Sequence, residues 1–230
     1  MSNFYPGNYH EGDSEDQEDV VWNELDWYQY LSRNKQEVRK LVDYYKKVKN
    51  NRSGYLDELA KLMGWTSFAF FDFDEQAGVE IYTDSSTSGS LNEEEYEVEL
   101  EPYTIHKNPL NIFTMGLYQF IKEQCEELLT GQHGISAINM WRLSMSMNEG
   151  QSNIILATYS IDLGDYMLAI SHLKLALKAI NESLQVVSLL PTVSQVKEIS
   201  LALFSLREVF IKISNDCREY DQSELGGDVE

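Results

Sequence analysis

The chain reads as mainly α, a set of antiparallel helices carrying a small antiparallel β insert. Three observations predict this. Apolar residues recur at three and four over residues 21–65 and again over 109–218, the period of a helix with one buried face. Between them, 66–108 changes to β-rich runs and a period of two, the pattern of half-buried strands. Both ends, 1–20 and 219–230, lack apolar periodicity and are rich in acids, Ser, Gly and Asn, which predicts disordered acidic tails.

The first helix is expected from Val21 to about Asn50. Trp22, Leu25, Leu31, Val38, Leu41, Val42, Tyr45 and Val48 form its apolar face. Its other face is basic, with Arg33, Lys35, Arg39, Lys40, Lys46 and Lys47 relieved only by Glu37 and Asp43. Cations near the end of a helix complement its dipole. A short helix, Gly54 to Met63, should stop at Gly64. In the insert, Ser67–Phe73 and Val79–Thr83 read as strands, and Glu95–Glu101 alternates acid with apolar residue. Those three runs are expected to form a small antiparallel meander with an acidic outer face.

Asn108-Pro109 is a helix start, with Asn capping and Pro at the first position, where its missing N–H is harmless. That helix should run over 109–130 and stop before Gly131. Three more are expected at about 135–148, 151–163 and 165–188, the first of them ended by Gly150. Thr192-Val-Ser-Gln195 matches a capping box for the last helix. Met140, Met145 and Met147 with Trp141 read as core filler.

Charge narrows the function classes. The 230 residues hold 38 Asp+Glu against 18 Lys+Arg, a formal charge of −20. Segments 1–20, 66–108 and 215–230 carry six, eleven and six of the acids and only two bases, so the rest of the chain is close to neutral. The charge argues against a general nucleic-acid or anionic-membrane binder, because phosphates are repelled at long range. No nucleic acid and no membrane is expected as partner. A protein is, and a basic one suits the acidic segments. Those segments also complement the chain's own basic face. Two cysteines make no disulfide framework and no metal spacing, which suits a reducing, cytoplasmic setting.

One stretch resembles a known unit. Residues Asn153 to Ile180 hold Ala157 in one helix, Gly164-Asp165-Tyr166 at a turn, and Ala169, Leu173 and Ala176 in the next. This is similar to a single tetratricopeptide repeat, a helix–turn–helix unit of about 34 residues. The resemblance implies a hairpin in which Gly164 takes the left-handed conformation and Asp165 caps the second helix. Ala157, Ala169 and Ala176 would let the helices approach, with Tyr166 and Leu173 filling the open end. It covers about 30 residues around one turn, and the closing Pro of the family is replaced by Asn181-Glu182.

Catalytic signals are sparse. Ala69-Phe-Phe-Asp-Phe-Asp74 resembles the first motif of haloacid dehalogenase-type phosphotransferases, which would make Asp72 the nucleophile and Asp74 the acid/base on Mg²⁺. Glu75-Gln76 stands where that family has Gly-Thr, and no later Lys-plus-acid pair follows. A carboxylate–His metal site from Glu123, Glu126, Glu127 and His172 is the other enzymatic reading. No phosphate-binding loop, dinucleotide fingerprint or nucleophile elbow occurs. The expectation is therefore a non-enzymatic adaptor or scaffold without a cofactor. A metal-dependent enzyme is the alternative.

Overall fold

The computed structural model describes residues 22–51, 54–65, 104–131 and 134–226, with side chains through Asp221. Six α-helices result: α1 Glu24–Val48, α2 Tyr55–Met63, α3 Pro109–Thr130, α4 Ala137–Asp162, α5 Tyr166–Val187 and α6 Ser194–Gly226. A 3₁₀ turn, Ile105–Lys107, leads into α3. Among the described residues there is no strand. The three strand runs of the expected insert lie outside them, as do tail 1–20 and residues 227–230.

Local chemistry sets the helix ends. Asn23 Oδ1 accepts from the Leu25 and Asp26 amides (2.8 and 3.2 Å), and Asp26 Oδ2 accepts from the Asn23 amide at 2.9 Å. This reciprocal box satisfies donors that would otherwise have no partner. Asn108 Oδ1 accepts from Leu110 N–H at 2.9 Å, with Pro109 opening α3 as its ring prefers. At the α4–α5 turn, Gly164 has φ +75°. Its amide donates to Ile161 O (2.9 Å) and that of Asp165 to Ser160 O (2.8 Å), the paired closure of a Schellman motif. Asp165 Oδ1 then accepts from Leu168 N–H at 3.0 Å, starting α5.

Short connections force α3, α4, α5 and α6 to run up and down, and each packs on the next, with α6 closing back on α3. That makes a four-helix bundle. Its core is Phe113, Leu117, Phe120, Ile121, Leu143, Ile154, Leu173, Ile180, Leu203, Leu206 and Phe210 with their neighbours, nearly all without solvent contact. Helix α1 lies outside the α3–α6 edge. Asn34 Nδ2 donates to His106 O (2.7 Å), the Tyr45 and Phe120 rings meet edge-on at 5.4 Å, and Lys46 reaches Glu123 at 2.9 Å. Tyr45 Oη also bonds Ser205 Oγ of α6 at 3.1 Å.

Several expectations need correction. The contacts of α1 rise in step with α3, so this pair is parallel rather than antiparallel. Gly150 ends nothing, because α4 runs unbroken through it. An added Cβ there would lie 2.4 Å from Tyr118 Oη, so glycine is required by close packing of α4 on α3. The Thr192 capping box is out of register: α6 opens at Ser194, and Gln195 Oε1 accepts from Ser194 Oγ (3.0 Å). The tail expected from 219 is helical as far as Gly226. Glu219 and Glu224 are good helix formers, so charge did not mark the end of the helix.

Burial also fixes how stability depends on pH. It pushes the Tyr45 phenol up to about 12 and raises those of Tyr55 and Tyr118 as well. An unfolded tyrosine ionises near pH 10. Above that pH the unfolded chain releases protons that the folded chain retains, so stability is full below about pH 10 and falls as pH rises beyond it. Tyrosinate absorbance should therefore show a late step coincident with loss of helix. A single early titration of all 14 tyrosines with helix intact would contradict this.

Candidate functional site

Helices α4 and α5 pack closely on either side of their connecting turn. Ala157 on α4 and Ala169, Leu173 and Ala176 on α5 are fully buried. Tyr166 is half-buried, its ring centroid 5.9 Å from that of Tyr220. Farther along the α4–α5 seam the buried Ser146 and Ser183 hydroxyls lie 2.7 Å apart, each also within reach of a carbonyl of its own helix (Leu143 O and Ala179 O), so two protons serve three contacts. The arms, 26 and 22 residues long, exceed what a 34-residue repeat can hold. These residues pack the protein's own helices together and present no open groove.

The basic face is exposed at Arg33, Lys35, Arg39, Lys40, Lys46 and Lys47, but part of it is turned inward. Lys46 pairs with Glu123 and lies 5.8 Å from the Phe120 ring centre, and Lys47 lies 5.3 Å from that of Tyr44. Lys40 approaches Glu37 at 3.9 Å. Lys49 is bonded to Glu198 of α6 and sits over Phe120. The C-terminal half of this face thus ties α1 to α3 and α6.

No catalytic constellation forms among the described residues. Glu123 is held by Lys46 and Gln119, while His172 Nδ1 lies 3.2 Å from Asn153 Oδ1. The expected cluster of Glu123, Glu126, Glu127 and His172 is therefore not assembled, and no three His, Cys, Asp or Glu among the described residues could hold a metal ion. Asp72 and Asp74 lie outside the described residues. Burial drives the Cys125 thiol up to about 11 and Cys217 to about 12, so neither is a nucleophile near neutral pH. A hollow of ≈330 Å³ between α5 and α6 is lined mainly by Leu184, Val187, Leu190, Val196 and Phe204, with Lys197 its single ionisable side chain.

What the fold does expose is apolar surface. Trp27, Leu31, Asn34, Val38, Leu41, Tyr45 and Val48 alternate at four and three along α1, a continuous seam. From Val38 onward the seam's apolar residues are buried, but Leu31 and Trp27 emerge to 40% and 41% exposure, flanked by Leu25 and by Tyr28 at 70%. The Trp22, Trp27 and Tyr30 rings stack edge to face at 4.9, 5.3 and 5.9 Å, which fixes their orientation. Glu24 and Asp26 stand beside them.

A second apolar stripe runs along the outward side of α4. The sequence pattern assigned Trp141 and Met145 to the core, yet both are exposed, while Met140 and Met147 are half-buried. Because α4 is apolar on its inner and outer faces alike, periodicity could not tell them apart. The near absence of charge along α4 was the available signal. Comparison with protein-family models, with curated proteins and with solved structures finds no match to the chain. No helix among the described residues is long and apolar enough to cross a membrane.

Proposed function

We propose that this chain is a non-enzymatic protein-interaction protein, an adaptor or scaffold of the cytoplasm. The observation that carries the reading is the α1 seam emerging from the core as Leu31, Trp27, Tyr28 and Leu25. Rigid aromatic anchors of this kind dominate binding energies at protein interfaces. Trp27, held by edge-to-face contacts with Trp22 and Tyr30, loses little freedom when covered. Acids in the first turn of α1 and in the preceding 20 residues favour a partner segment whose apolar residues are flanked by Lys or Arg. The tetratricopeptide likeness supports the same reading at the α4–α5 turn alone. Two thiols without a disulfide suit a reducing compartment.

Immobilised protein should capture a stoichiometric protein partner that is lost at least tenfold when Trp27→Ala, Tyr28→Ala and Leu31→Ser are combined. All three side chains are exposed, so the circular dichroism of the variant should match the parent. Absence of any partner that depends on these residues would overturn the proposal.

A further inference from the structure

The outward stripe of α4 is built to meet itself. Ile138, Trp141, Met145, Ser152, Leu156, Tyr159 and the capping Leu163 lie within about 40° of one line along the helix at 3.6 residues per turn. Diametrically opposite, Leu143, Gly150, Ile154, Ala157 and Ile161 face the bundle core. A helix that is apolar on both faces is normally covered on both. Only Arg142, Glu149 and Asp162 carry charge in its 26 residues. Asp162 faces α3, where it approaches Asn108 at 3.5 Å.

The stripe is also close to palindromic. Ile138 and Leu163 are equidistant from the Gly150–Gln151 midpoint, as are Met145 and Leu156, and Trp141 and Tyr159 match to within one residue. Two copies laid antiparallel about a two-fold axis at that midpoint therefore set apolar on apolar at every step except the centre. Trp141 meets the partner's Tyr159, while Glu149 and Ser152 meet at the polar centre. An isologous interface demands this reciprocity, in which each pairing occurs twice. An unrelated partner would place no such demand on the spacing.

Area agrees. The six apolar residues of the stripe are exposed by between 47% (Leu156) and 83% (Leu163). At about 200 Å² for a fully exposed large side chain, some ~700 Å² of them is available on each copy. A stable interface covers roughly 800 Å² per partner, and the flanking residues supply the remainder. We propose that this face binds a second copy of the chain, α4 against α4, in an antiparallel two-fold dimer. The dimer does not depend on the α1 surface.

Sedimentation of the full chain should give a mass twice the 26.5 kDa of the monomer at micromolar concentration. Each copy carries −20, so the dimer should tighten as salt rises and screens the repulsion, opposite to an interface held by ion pairs. Trp141→Glu with Tyr159→Glu should weaken it at least 100-fold with helix content unchanged. Register is read by mixing a Met145→Cys chain with a Leu156→Cys chain, which should form a mixed disulfide, whereas two Met145→Cys chains should not. A monomer at 100 μM, a dimer indifferent to both glutamates, or equal cross-linking in the two mixtures would each overturn the proposal. None of these results would alter capture through α1, which is measured separately.

Discussion

Phe210→Ala should lower the unfolding free energy by about 3–5 kcal/mol, the largest loss expected from any single truncation considered. Phe210 is fully buried on α6, among Leu203, Leu206, Val209 and Ile213, which also have no solvent contact. Helix α6 packs on both α5 and α3, so a void there is walled from two sides and cannot close by a single helix shift. With total stabilities of about 5–15 kcal/mol, much of the folded population is at stake. Phe204, six residues earlier on the same helix, is 55% exposed at the rim of the α5–α6 hollow. Its truncation should cost only about 1 kcal/mol. Urea midpoints of the two variants separate these cases, and equal shifts would mean that α6 is not seated as described.

Gly150→Ala should be destabilising in the native sequence and stabilising once Tyr118→Phe is present. Two effects compete at this position. In a helix interior, alanine is favoured over glycine by about 1 kcal/mol. Against it, the new methyl would lie 2.4 Å from Tyr118 Oη, and forcing such an overlap in a packed core costs about 1–3 kcal/mol. The ring is buried and cannot swing out to relieve it. Removing the hydroxyl removes the clash, since the next nearest Tyr118 atom, Cζ, is an ordinary contact at 3.5 Å. Tyr118→Phe alone should stabilise by about 1 kcal/mol, because its buried hydroxyl has no hydrogen-bond partner. The double-mutant cycle should show strong coupling. Additive effects would mean that α3 and α4 are farther apart than the structure places them.

Features written in local chemistry were readable from sequence. Asn108-Pro109, Gly64 and Gly164-Asp165 each specify a helix end within four residues, and each does so here. Features that depend on a distant residue were not. Gly150 looks like a stop until Tyr118, a whole helix away, is placed against it. Lys46 reads as one more residue of a basic face until Glu123 arrives from α3. The parallel pairing of α1 with α3 is a tertiary relation that no helical period records. The candidate surfaces were less legible: the apolar face read for the first helix held Leu25 and Leu31 but neither Trp27 nor Tyr28, and Trp141 was assigned to the core. Only packing decides that the seam of α1 runs out of cover at Leu31, and that α4 has a face left over.

The central claim is that the exposed aromatic end of α1 is a surface covered by another protein. Hydroxyl-radical footprinting tests it residue by residue, comparing purified protein with protein labelled in its own cell extract. The account predicts that Trp27, Tyr28 and Leu31 are oxidised readily in the pure protein and protected in the extract, while exposed Phe204 is labelled equally in both. Equal labelling of Trp27 and Tyr28 in the two samples would contradict it.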